Sequence, residues 1–150
     1  MVPFTTHMAL ALSQARDAAL RGEVPVGAVV TDPRGRVVAA AGNRTRELSD
    51  PTAHAEILAI RAACAALGSE RLPGHDLCVT LEPCPMCAAA ISAARIATLY
   101  YGAADPRMGG VAHGARVFDH PQCHHRPVVY DGIAAGAAAD LLRGFFLLRR

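Results

Sequence analysis

The chain has 150 residues, 52% hydrophobic and 19% charged, a balance that predicts one domain with its own core and excludes a chain kept disordered by charge. Fifteen Lys and Arg against thirteen Asp and Glu leave a formal charge of +2, so bulk electrostatics do not announce a nucleic-acid binder and any grip on phosphate must be local. Five cysteines are an odd number, and no N-terminal stretch reads as a secretion leader, so a disulfide framework is not expected and a cytoplasmic location is.

The first predicted element is an Ala- and Leu-rich helix capped by Thr5 or Thr6 and stopped at Gly22. Residues 26–30 and 37–40 are short β-rich runs joined by Asp32-Pro33-Arg34-Gly35, whose Pro and Gly favour a tight reversal and hence an antiparallel hairpin. A polar loop over 43–51 leads into a helix over 53–67, with Ile57, Leu58 and Ile60 apolar and Gly68 behind it. Residues 76–81 read as a buried strand and 83–95 as a turn running into a helix, with Pro85 suited to its first turn. Another strand covers 97–101, a long loop with room for a helical turn covers 102–127, a last strand covers 128–130, and a terminal helix covers 134–150. The apolar stretch 87–104 is interrupted by Ser92 and Arg95 and is no bilayer span, so no membrane partner is expected. The alternation predicts an α/β fold in which a mixed sheet of about five strands is covered by helices on both faces.

Two short motifs carry chemistry: His54-Ala55-Glu56 and Pro83-Cys84-Pro85-Met86-Cys87, each at the start of a predicted helix. Two cysteines separated by two residues can place both sulfurs on one metal, and a distant histidine completes a set of three for tetrahedral zinc with one position open. A helix N-terminus stabilises thiolates, which favours loading. Zinc with an open position activates water at neutral pH, and Glu56, two residues after His54, is placed to move the proton. The competing reading is a structural zinc knuckle with a fourth ligand from Cys64, Cys78, Cys123 or another His, but none of these forms a matching second pair.

With these motifs the chain resembles the zinc-dependent cytidine and deoxycytidylate deaminase superfamily, which shares the HxE and PCxxC signature. Within it the chain is similar to the bacterial tRNA-specific adenosine deaminases along almost its whole length, including Glu23-Val24-Pro25-Val26-Gly27-Ala28, Gly42-Asn43-Arg44, the segment from Asp50 to Glu56, Thr80-Leu81-Glu82-Pro83-Cys84, and the terminal Phe145-Phe146 and Arg149-Arg150. The resemblance implies a three-layer α/β/α cytidine-deaminase-like fold, one Zn2+ per subunit held by His54, Cys84 and Cys87, and Glu56 as proton shuttle. It also implies a homodimer whose partner helps line the groove for a tRNA anticodon stem-loop, and conversion of adenosine to inosine at the wobble position. Asn43 matches the position that hydrogen-bonds the target base, a role its amide fills by offering both donor and acceptor; a loop-capping Asn is the plainer reading. Val26 is a candidate pocket wall or simple core. Phe145 and Arg149 match C-terminal elements that contact RNA, an aromatic for stacking and a cation for phosphate, against the alternative of a helix packing on its own sheet.

The low net charge, and Ala104 where such deaminases often carry a basic residue beside the aspartate matched by Asp105, keep open an alternative substrate, a free base or nucleoside of the guanine or cytosine type. The loop from Met108 to His113 departs from the pattern of that family. Among other candidates, Cys123-His124-His125 lies between Pro121 and Pro127 and reads as a polar turn, as do His75 and His120. Glu82 rivals Glu56 as an acid, but its place before Pro83-Cys84 suits support of the ligand loop. Cys64 and Cys78 read as small buried side chains, and Arg34 and Arg36 as a solvated hairpin tip.

Overall fold

The elements follow in the order helix α1 (Phe4–Leu20), strands β1 (Gly27–Thr31) and β2 (Val37–Gly42), helix α2 (Ala55–Leu67), strand β3 (Asp76–Leu81), helix α3 (Pro85–Ala93), strand β4 (Thr98–Ala103), a 3-10 turn (Val117–Asp119), strand β5 (Val128–Tyr130) and helix α4 (Ala135–Leu147). They come from a computed structural model that describes residues 4–149. The strands form one sheet in the order β2-β1-β3-β4-β5. β1 pairs antiparallel with both β2 and β3, while β3 with β4 and β4 with β5 are parallel, so α3 is the crossover that parallel pairing demands.

Side chains of successive strand residues point to opposite faces, and the core divides accordingly. Ala28, Val30, Leu77, Val79 and Leu99 pack with Ala59, Ile60 and Ala63 of α2 and Ala88 and Ile91 of α3. Val29 and Cys78 pack with Met8, Ala11 and Leu12 of α1 and Ala138 of α4. All five residues of β1 are buried, as a strand covered on both faces must be. The result is the expected α/β/α sandwich on a mixed five-stranded sheet.

The small residues have a specific use where α1 crosses β1. A Cβ on Gly27 would stand 2.7 Å from the Ala15 backbone nitrogen, inside the α1 backbone. Gly27→Val is therefore expected to cost on the order of 3 kcal/mol by overpacking, read as a lower urea midpoint; an unchanged midpoint would show that the two layers part freely.

Several boundaries differ from the sequence expectation. Helix α1 begins at Phe4, so Thr5 and Thr6 stand in its first turn rather than ahead of it. Helix α3 stops at Ala93 because Arg95 takes a left-handed conformation, φ 63°, that turns the chain into β4. Ala134 does the same before α4, which closes at Leu147. Arg150 lies outside the described residues. Among the described residues no helix is long and apolar enough to cross a membrane.

Candidate active site

Two helix N-termini converge on one point. His54 is the N-cap of α2 and Cys84 the N-cap of α3, both with extended backbone and neither spending its side chain on the helix. Pro85 opens α3, where its missing N–H has no intrahelical partner to lose, and Cys87 follows one turn from the cap. Glu56 lies in the first turn of α2. The spacings HxE and CxxC thus put one ligand on each cap, a second sulfur one turn on, and a carboxylate beside them.

Nδ1 of His54 lies 3.7 Å from Sγ of Cys84 and 3.5 Å from Sγ of Cys87. Metal bonds of about 2.0 Å to nitrogen and about 2.3 Å to sulfur set a tetrahedral N–S edge of about 3.5 Å, which the Cys87 separation matches and the Cys84 separation exceeds only slightly. The three ligand atoms lie within 4.8 Å of one another, and this is the sole grouping of its kind among the described residues. The donor set therefore fits a single zinc ion, and the absence of a fourth protein ligand from the grouping favours an open position over a closed knuckle.

Charge within the cluster is already arranged for a cation. The Cys87 hydrogen bond holds the Cys84 thiol down at about 4, with burial opposing and His54 assisting. Cys87 moves the other way, raised by its bond with Cys84 and by burial. His54 is raised, chiefly by its bond to Cys84. Burial pushes the Glu56 carboxyl up to about 7, against the pull of its own backbone N–H and of His54. A buried acid poised near neutrality can both take and give a proton.

The cluster opens into a cleft of about 270 Å³, the small end of the ligand-site range and enough for one ring system. Val26, Asn43, His54, Glu56 and Cys84 line it, the first two being positions the resemblance singles out. Asn43 is buried at the end of the hairpin, its N–H donating to the Val26 carbonyl at 3.1 Å. Val24, Ala55, Leu81 and Glu82 contribute to the lining as well, and Thr45, Asp105 and Met108 come from loops, where no period in the sequence points inward.

Phe145 and Arg149 lie elsewhere, on α4 and just beyond it, outside the lining of this cleft. Phe145 is buried and the Arg149 guanidinium sits 3.6 Å over its ring centroid, so little of that ring is open to a base; the neighbouring Phe146 is the exposed aromatic. The Glu82 carboxylate turns from the ligand loop towards the segment 105–113, where it accepts N–H groups of Asp105, Val111, Ala112 and His113. Burial pulls its acidity down, but these bonds and the His113 ring outweigh it and hold the carboxyl below its usual range. Sequence reasoning missed Glu23, a buried carboxylate that anchors the opposite wall; an acid directly before the apolar run from Val24 was the available signal.

The remaining candidates are tied up in local structure. His75, His120 and His125 each bond a backbone carbonyl, and Cys123 bonds the His125 carbonyl, as a polar turn would. Cys78 is buried and its thiol pushed up to about 12 by that burial, whereas Cys64 is half-buried. A wider recess of about 600 Å³ beside α3, near Arg95 and Cys123, holds none of the predicted site residues.

Comparison with known proteins agrees with this geometry. Residues 3–103 match the family model of the cytidine and deoxycytidylate deaminase zinc-binding region. The chain is 61% identical over 150 residues to a tRNA-specific adenosine deaminase of Agrobacterium fabrum, covering 100% of this chain and 98% of the relative. A structure solved in a study of A-to-I editing by tRNA:A34 deaminases at the wobble position shares 63% identity at a TM-score of 0.89, covering 91% of this chain and 99% of that one. A guanine deaminase from Nitrosomonas europaea superposes at a TM-score of 0.83 with 25% identity, over 97% and 85% of the two chains. By fold, site geometry and similarity over its full length, the chain belongs to the cytidine and deoxycytidylate deaminase zinc-binding family, and within it to the bacterial tRNA-specific adenosine deaminases.

Proposed function

We infer that this chain catalyses the hydrolytic deamination of adenosine to inosine at the wobble position of a tRNA anticodon, with water consumed and ammonia released. The observation that carries the chemistry is the His/Cys/Cys grouping beside a cleft lined by His54, Cys84 and Glu56; the substrate rests on the 61% identity to the Agrobacterium relative over 98% of its length. Zinc, when bound, supplies the Lewis acid that activates water at neutral pH.

The chain's own residues supply the rest. His54, Cys84 and Cys87 would hold the ion. Glu56 takes a proton from the attacking water, delivers it to N1 of the purine as C6 is attacked, and carries the second to the departing amine. Its burial limits the access of bulk water to that proton. Asn43 is placed to hydrogen-bond the base edge, and Val26 gives the ring an apolar wall. An anticodon loop is single-stranded, so splaying its base into a cleft of this size costs less than extrusion from a duplex.

Resemblance to the family supports a homodimer whose partner lines the RNA groove, one deaminase domain per chain, and a cytoplasmic setting in which the five cysteines, all free, stay reduced. Arg149 completes the proposed contact surface: its guanidinium lies on the exposed side of Phe145, available to a phosphate. Arg149→Gln is expected to weaken stem-loop binding and lower the slope of log K against log salt by about one. An unchanged slope would place that residue off the RNA.

The second reading, deamination of a free base, is favoured by the superposition on a guanine deaminase and by the small cleft. Zinc-loaded protein incubated separately with anticodon stem-loop RNA and with guanine, cytosine, adenosine and cytidine, with ammonia as the readout, separates the two. Turnover on RNA alone is the expected result, and turnover on guanine with none on RNA would overturn the substrate assignment.

A further inference from the structure

Neither irregular wall of the cleft belongs to a strand or helix. Asn43 and Thr45 lie at the start of the segment 43–50, and Asp105 and Met108 on 105–113. Backbone N–H groups in such segments need partners once buried, and neighbouring strands do not provide them. Each wall instead meets one buried carboxylate. Glu23, 1% exposed, accepts the N–H of Arg46 at 3.2 Å and of Glu47 at 2.8 Å. Glu82, with no exposed side-chain surface, accepts four backbone N–H groups between 3.0 and 3.2 Å, and its Oε1 lies 2.8 Å from Nδ1 of His113.

A carboxylate suits this task. Its two oxygens offer about four lone-pair directions and no donor, so it can gather several N–H groups at once with charge-assisted bonds. Both clamps are also rooted in rigid parts of the fold. Glu23 lies three residues past the end of α1, its own N–H bonded to the Ala18 carbonyl of that helix, and Glu82 follows β3 and precedes the metal-ligand turn. The Gly110 N–H donates to the Pro83 carbonyl at 2.8 Å, and a Cβ on Gly110 would stand 2.6 Å from the Pro85 nitrogen, so the wall at 105–113 rests directly against that turn. The Asp105 carboxylate then accepts the N–H groups of Arg107 and Met108, which sets the Met108 side chain on the cleft rim.

We propose that Glu23 and Glu82 are positioning residues for base selection: each holds one loop wall of the cleft in its receiving geometry, independently of the other and without touching the reacting atoms. His113 is the auxiliary donor of the Glu82 clamp. The proposal rests on the functional reading above for its substrate. Its structural half can be read without any substrate.

The test uses full-length, zinc-loaded protein carrying Glu23→Gln or Glu82→Gln. Each amide keeps one oxygen but turns an NH2 towards the donors it should accept, loosening one wall. Amide exchange of 46–47 should quicken in Glu23→Gln alone, and that of 111–113 in Glu82→Gln alone. Zinc should stay at one per chain. KM for the stem-loop should rise about tenfold or more and kcat change far less, since a misplaced wall harms reception of the base before it harms proton transfer. Global acceleration of exchange with loss of zinc and kcat together, or unchanged exchange in the targeted segment, would overturn the proposal. If Glu82→Gln does not fold, His113→Ala removes only the ring bond and should quicken exchange at 111–113; no change there overturns that clamp. A wild-type chain inert on the stem-loop would instead defeat the functional reading, leaving the exchange result to judge the clamps.

Discussion

Glu56→Gln is expected to lower kcat by about 10³-fold with zinc retained and KM within a few fold, the loss that follows when a positioned acid–base group is replaced by an amide of the same shape. The amide cannot accept a proton from water, cannot hand one to N1 and cannot protonate the leaving amine, so every transfer assigned to this side chain fails together. Nothing else in the cleft can replace it. Glu82 spends its oxygens on four backbone N–H groups, and Asp105 turns its carboxylate to Arg107 and Met108. Glu56 is buried, and burial is the main cause that pushes its carboxyl up to about 7, so the neutral amide removes a group whose charged form is costly there. The thermal midpoint should therefore hold or rise while activity falls, which separates a chemical role from a structural one. Ammonia release, elemental zinc and a melting curve on the same preparation check all three. A variant retaining more than a tenth of wild-type kcat would remove the carboxylate from the mechanism.

The parts of this molecule governed by local chemistry were legible in the sequence, and the parts governed by distant pairing were not. His54, Glu56, Cys84 and Cys87 could be placed because a helix start fixes the geometry of residues two and three apart, whatever surrounds it. Strand β3 could be bounded at Asp76–Leu81 because a short β-prone run, Leu77-Cys78-Val79-Thr80-Leu81, between turn residues admits few other readings. Strand β4 starts at Thr98 rather than one residue earlier because its limits follow the register with β3, Thr98 opposite Asp76, and no property of residue 97 encodes a partner. Asn43 and Val26 were found through resemblance, and the structure puts both on the cleft. Phe145 was matched the same way, yet it is buried beneath Arg149, because a motif match carries residue identity and not the packing around it. What Glu23 and Glu82 hold lies beyond local reasoning: a place beside an apolar run or a ligand turn marks the acid, but their partners are backbone groups more than 20 residues away, on segments without periodicity.

Cys87→Ala is expected to remove both zinc and activity, and to lower the melting temperature of the zinc-loaded protein more than that of the stripped one. Cys87 is fully buried at the first turn of α3, and its sulfur is 3.5 Å from Nδ1 of His54, so no neighbouring donor can swing in to take its place. Outer partners of a metal ligand are worth about 10–100-fold in affinity or activity, and loss of one of only three ligands must exceed that. Zinc that binds only the folded state at 1,000 times its Kd contributes about 4 kcal/mol. At about 2–4 °C per kcal/mol for a chain near this size, that amounts to roughly 10 °C. Wild-type protein should lose that increment on chelation and recover it on zinc addition; the variant should show neither step. Cys64→Ala is the matched control, since Cys64 is half-buried on α2 and stands outside the ligand grouping. A Cys87→Ala protein that still carries one zinc per chain and releases ammonia would place the metal elsewhere and take the proposed chemistry with it.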